Sequence, residues 1–126
     1  MKFVATEAAP RAIGPYSQAV VEAGFLFASG QVPLDPATGK LVQGDLEASA
    51  ERVFDNLEAI LTQAGLGFAD VVKTTVFLTR AEDFAPLNAV YARRFGTHRP
   101  ARSTVIVAAL PAGAPLEIDL IARVAD

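Results

Sequence analysis

The 126-residue chain contains no cysteine, no tryptophan, one methionine and one histidine, His98. Without cysteine there can be no disulfide, thiolate nucleophile, iron–sulfur cluster or thiolate zinc site. One imidazole excludes a multi-histidine metal centre, so any metal would rest on carboxylates alone, and a Ser-His-Asp system would have to use His98. Positive charge is also short: 11 Lys and Arg stand against 14 Asp and Glu, a net −3. That balance argues against a surface for nucleic acid or an anionic membrane and leaves small molecules or proteins as partners. Long apolar runs are missing too. Met1-Lys2-Phe3-Val4 meets Glu7 and Pro10 before the roughly 7–15 apolar residues of an export signal can accumulate. Val105 to Leu116 is broken by Pro111, Gly113 and Pro115, well short of the roughly 20 residues that cross a bilayer. The expectation is a soluble, cytoplasmic protein.

What is present is enough to fold. Hydrophobic residues make up 52 % and charged residues 20 %, a composition that buries a core, and the length suits one domain over residues 1–126. Tyr16 to Val21 and Phe25 to Ser29 read as strands reversed at Ala23-Gly24, where glycine admits the positive φ of a tight hairpin. Val32 to Gly44, with Pro33, Asp35-Pro36 and Gly39, has the turn chemistry of a surface loop. Ala50, Val53, Phe54, Leu57, Ile60, Leu61 and Ala64 then recur with helical spacing, with Asp45 as N-cap and Gly65 as stop. Val71 to Thr79 is apolar on both faces, as a mid-sheet strand would be. A second helix starts near Asp83, with Pro86 tolerated in its first turn, Phe84, Leu87, Tyr91 and Phe95 on one face, and Gly96 at its end. Arg102 to Leu110 and Leu116 to Val124 read as two strands joined by a short connection. With a short strand near Lys2 to Ala5, the order is β-β-β-α-β-α-β-β, an α+β fold. Two helices cover one face of such a sheet and leave the other bare, so another copy of the chain is expected to pack there.

Several residues stand out chemically. Arg102, in Pro100-Ala101-Arg102-Ser103-Thr104, sits where a loop enters a strand and offers a planar fork that fits a carboxylate; a snorkelling arginine is the plain alternative. Alternation in Leu116-Glu117-Ile118-Asp119-Leu120 puts Glu117 and Asp119 on one face. If the two last strands are antiparallel neighbours, Arg102 lies near Val124, about seven residues or roughly 23 Å from Glu117. A shared site then needs Arg102 from one chain and Glu117 from the next. Gly14-Pro15-Tyr16 delivers Tyr16 as an aromatic wall or a core anchor, and Ser29-Gly30-Gln31 allows close backbone approach. Asn88 shares the stripe of Phe84 and Tyr91 and needs partners if buried. His98 reads as solvated.

These blocks together resemble the reactive-intermediate deaminase family, also called Rid or YjgF-like. The resemblance rests on Ala12-Ile13-Gly14-Pro15-Tyr16-Ser17-Gln18, Ser29-Gly30-Gln31-Val32-Pro33, Lys73-Thr74-Thr75-Val76-Phe77, and above all Pro100-Ala101-Arg102-Ser103 with Leu116-Glu117-Ile118. It implies a chorismate-mutase-like mixed sheet with two helices on one face, and a homotrimer with sheets facing inward and clefts between subunits. The implied activity is hydrolysis of 2-imino and enamine acids to 2-keto acids and ammonia, without metal or cofactor. Carried over by motif, Arg102 would clamp the substrate carboxylate, Glu117 would hold the attacking water beside that arginine and be kept ionised by it, and Tyr16, Ser29, Gly30 and Asn88 would line the pocket. Thr104, where some similar proteins have cysteine, would offer its backbone amide. The rival reading is a non-catalytic trimer that binds small carboxylates and regulates a partner; RNA cleavage is disfavoured by the net charge and the lone histidine.

Overall fold

The Ala23-Gly24 reversal takes positive φ at both residues, 54° and 82°, the conformation that matches the twist of a two-residue hairpin. It joins β2 (Ala19–Glu22) to β3 (Phe25–Gln31), with Glu22 opposite Phe25. The computed structural model describes residues 1–124. β1 (Lys2–Val4) precedes the hairpin, and α1 (Leu46–Gln63), β4 (Val71–Leu78), α2 (Phe84–Phe95), β5 (Ala101–Ile106) and β6 (Leu116–Arg123) follow. This is the order the periodicity predicts. The Asp45 carboxylate accepts from the Ala48 amide at 2.9 Å and starts α1; Gly65, at φ 77°, ends it.

The six strands form one mixed sheet in the order β1-β2-β3-β6-β4-β5, with β4 and β5 parallel and the other pairs antiparallel. Leu26, Val76, Leu78, Leu116, Ile118 and Leu120 point to one face, where they are buried against Val53, Phe54, Leu57, Ile60, Leu87, Val90 and Tyr91 of the helices. Phe54 and Tyr91 meet edge to face at 5.8 Å. Arg94 of α2 binds Glu51 and Asp55 of α1 at 2.8 and 2.9 Å and lies over the Phe54 ring, which fixes α2 beside α1. Registry places Phe3, Phe27, Phe77, Val105 and Ile121 on the opposite face. Phe3, Phe27 and Val105 remain exposed there, and no element among the described residues covers them.

Four expectations are corrected. β2 begins at Ala19, not Tyr16, because the Gly14-Pro15 turn is closed by the Tyr16 amide on the Gly14 carbonyl. Residues 32–44 are more than a surface loop: Val32 and Leu34 are buried with Ala114, and the buried Asn56 amide of α1 donates to their carbonyls at 3.3 and 3.0 Å. β5 and β6 are not neighbours, since β4 lies between them. The fifth strand stops at Ile106; the Val107 amide still reaches the Leu78 carbonyl, and the chain then turns away through Pro111–Gly113.

Candidate functional site

The candidates fall into two groups. The first is built where β3 meets β6. Register pairs Glu117 with Phe77 and Asp119 with Thr75, so both acids sit on the open face and are half-buried. A Cβ on Gly30 would stand 2.7 Å from the Glu117 Cδ and 2.9 Å from its Cγ; glycine is what lets the Glu117 side chain lie across β3. Tyr16, Gly30, Gln31 and Glu117 line one small cavity of about 60 Å³ together with Arg11 and Pro111. A broader hollow of about 800 Å³ adjoins it along the N-terminal loop and shares Arg11 and Tyr16. The Tyr16 hydroxyl accepts from the Ile13 amide at 3.3 Å while its ring stays exposed, so it is a wall and not a core anchor. The Ser29 hydroxyl donates to the Ser17 carbonyl at 2.6 Å, which closes the strand end around Gly30.

Burial pushes the Glu117 carboxyl above its ordinary pKa, and the neighbouring Asp119 charge pushes it further. Asp119 is also raised by burial, against a hydrogen bond from Thr75 and the charge of Lys73. Arg11 lines the same cavity, but among the described residues no cation forms an ion pair with Glu117 or offsets the rise in its pKa. The expectation that an arginine holds it ionised is therefore not met within one protomer.

The second group lies on the helix-covered face, at the β5 edge. Arg102 pairs in register with Thr74, whose side chain is buried and whose hydroxyl meets the Tyr91 hydroxyl at 2.7 Å. The Arg102 Cζ stands 4.7 Å from the Tyr91 ring centroid and 5.5 Å from that of Phe84. Among the described residues no carboxylate lies within ion-pair distance of this guanidinium. Burial raises the Tyr91 pKa, partly offset by the Thr74 hydrogen bond and by Arg102, so the phenol stays neutral and holds its place. Asn88 is half-buried on the same helical stripe. Thr104, two residues along β5 on the same face, has a buried hydroxyl with no hydrogen-bond partner among the described residues.

Arg102 is thus level with Thr74 and Leu120, not with Val124. It is three residues from the level of Glu117, roughly 10 Å along the strand direction, and two strands across. Opposite faces, and not strand length, separate the pair. Alternation shows the faces of β6, whereas the contact of Arg102 with Tyr91 and Phe84 depends on which face of β5 turns to α2, which the residues around Arg102 do not display. His98 is not simply solvated: its Nε2 lies 2.6 Å from the Val71 carbonyl and ties the loop before β5 to β4. Among the described residues no group of three or more His, Asp or Glu is placed to hold a metal ion, and no helix is long and apolar enough to cross a membrane.

A family model described as endoribonuclease L-PSP matches residues 6–124. The chain is similar to Protein DfrA of Myxococcus xanthus, 57 % identical over 123 residues, covering 96 % of this chain and 94 % of that one. It is similar also to the 2-iminobutanoate/2-iminopropanoate deaminase of Escherichia coli, 48 % identical over 124 residues and 96 % of each chain. Its backbone matches the crystal structure of Escherichia coli TdcF with bound serine at a TM-score of 0.93, with 41 % identity over 99 % of this chain and 100 % of that one.

Proposed function

Because the chain belongs to the endoribonuclease L-PSP family, which includes the Rid and RutC proteins, we propose that it is a hydrolytic deaminase of 2-imino and enamine acids such as 2-iminobutanoate and 2-iminopropanoate. Its products are 2-keto acids and ammonia. The observation that carries this reading is Arg102, a guanidinium at a sheet edge with no carboxylate partner among the described residues. Such a fork, stacked and half-buried, suits a small carboxylate that arrives from outside. The name of the Escherichia coli relative supports the imine as substrate.

The protein works as a homotrimer whose clefts join Arg102 of one subunit to Glu117 of the next. Two features support this: the charges face opposite sides of the protomer's sheet, and the open face exposes Phe3, Phe27 and Val105. In the cleft Arg102 fixes the carboxylate, with the Thr104 backbone amide and Asn88 beside it. Tyr16, Ser29 and Gly30 wall the other side. Glu117 accepts a proton from water as the water oxygen bonds to the electrophilic imine carbon. The proton then passes from Glu117 to nitrogen, the C–N bond breaks with its electron pair leaving on ammonia, and the hydroxyl proton returns to Glu117 as the carbonyl forms. Positioning carries most of the rate, because the iminium carbon is already reactive. Burial and Asp119 raise the affinity of Glu117 for protons, and Arg102 across the cleft keeps it charged and able to accept one. His98, the one imidazole in the sequence, is engaged by the Val71 carbonyl, which favours this chemistry over RNA cleavage.

The test is ammonia release from 2-iminobutanoate generated in situ. Wild-type protein accelerates it, and Arg102→Ala loses about 10²–10³-fold in kcat/KM, the loss of a bidentate charged contact. Undiminished activity in that variant removes the clamp. A wild-type protein that binds 2-oxobutanoate without turnover is instead a carboxylate-binding regulator.

A further inference from the structure

We propose that Phe84 and Tyr91 are positioning residues that hold the Arg102 guanidinium in the orientation its carboxylate ligand requires. The proposal rests on the reading of Arg102 as the clamp. A long arginine on an edge strand has many rotamers, and binding through it is weakened by whatever freedom must be lost. Here that freedom is already restricted. The guanidinium carbon is over two rings, at 4.7 and 5.5 Å, both inside the range where a ring's negative face attracts a cation. Ring faces make no hydrogen bonds to the N–H groups comparable to those of a carboxylate, so the guanidinium they hold keeps its donors for the two parallel bonds of a carboxylate.

The brace is itself fixed. Tyr91 is buried, and its hydroxyl is tied to Thr74 at 2.7 Å. Thr74 is the residue in register with Arg102 on the adjacent strand. Backbone pairing, the hydroxyl bond and the stack therefore close one loop of contacts around the arginine. Phe84 is different: at the first position of α2 it remains 42 % exposed, so core packing does not account for a phenylalanine there. Its contact with Arg102 does. Phe84, Asn88 and Tyr91 follow one another at helical spacings of four and three residues, which sets them on a single stripe facing β5.

The experiment uses full-length protein in its natural assembly, with 2-iminobutanoate generated in situ as substrate. Phe84→Ala should leave the melting temperature unchanged and raise KM about three- to tenfold with kcat nearly constant, the size of a lost cation–π contact. Phe84→Tyr should restore KM. In an Arg102→Lys background, which keeps a cation but no planar fork, Phe84→Ala should add less than about twofold. A wild-type KM in Phe84→Ala, beside a crippled Arg102→Ala, overturns the brace and leaves the clamp standing. A full Phe84→Ala defect in the Arg102→Lys background also overturns it, since Phe84 would then touch substrate itself. If Arg102→Ala keeps the wild-type KM, the clamp and the brace fall together.

Discussion

The two halves of the candidate site are built by opposite means. Around Glu117 the polar groups are satisfied or closely packed: Ser29 is bonded to the Ser17 carbonyl, Tyr16 accepts from Ile13, and Gly30 is covered by the acid's own side chain. Around Arg102 they are left open, with a stacked guanidinium lacking a carboxylate and a buried Thr104 hydroxyl lacking any partner among the described residues. One half is a finished wall that holds an acid in a destabilised ionisation state. The other is a prepared receptor. Buried or braced charges are seldom left uncompensated without a partner from elsewhere, so the difference identifies which half receives the ligand's charge and which supplies the proton acceptor.

A mixing experiment separates the two halves most visibly. If each cleft takes Arg102 from one subunit and Glu117 from another, co-refolded Arg102→Ala and Glu117→Ala proteins, each inactive alone, form mixed trimers with one intact cleft. Random mixing returns about a quarter of wild-type ammonia release. No recovery, with mixed trimers verified by mass spectrometry, would mean that both charges serve one protomer's chemistry, or that neither does.

A smaller effect is expected at Gly30. An added Cβ collides with the Cδ and Cγ of Glu117, so the whole side chain must turn aside. That motion is open to it, because Glu117 is only half-buried. Gly30→Ala should therefore fold, with a melting temperature lower by only a few degrees, yet lose up to about 10²-fold in kcat/KM through a displaced carboxylate. Equal losses in stability and activity would show that Gly30 serves the strand end rather than the acid. The corresponding close approach is absent on the Arg102 side, where Phe84 and Tyr91, and not a missing side chain, define the space.

Much of this was legible in the residues. Alternation in β6 places Glu117 opposite the helix-facing Leu116 and Ile118, and of the stripe Phe84, Leu87, Tyr91 and Phe95 the last three lie on the face of α2 that is buried in the core, while Phe84 stays exposed. The faces of strands follow from a local period of two, which sequence displays directly. Strand neighbours do not. β5 and β6 are joined by a short segment, but β4 has apolar residues to pair on both sides and takes the place between them, a choice made by packing over the whole sheet. The same limit hid the Arg102 stack, the Asn56 bridge to Val32 and Leu34, and the use of His98 on Val71. The last two join residues more than twenty apart, and the first depends on which face of β5 turns toward α2, although the polar residue at an apolar helical position, Asn56 among Val53, Leu57 and Ile60, is a signal for the second.

The finest distinction between the halves is electrostatic. Glu117 must be ionised to take a proton from water, so the rate should rise with pH through its pKa and level off above it. Burial comes first in raising that pKa and Asp119 second; the acid limb therefore lies above the ordinary carboxylate range for as long as no cation is near. Asp119→Asn removes the repulsion but not the burial. Its acid limb should shift to lower pH than that of wild type, with less than about a threefold change in rate at neutral pH. Arg102 from a neighbouring subunit acts on the same group in the same direction as that substitution, by favouring the charged form. Arg102→Lys keeps a cation there, so its acid limb should stay where wild type has it, and Arg102→Ala, if residual turnover allows the profile, should move the limb upward. An acid limb that ignores both Asp119 and Arg102 would show that Glu117 is not the group whose ionisation controls the reaction.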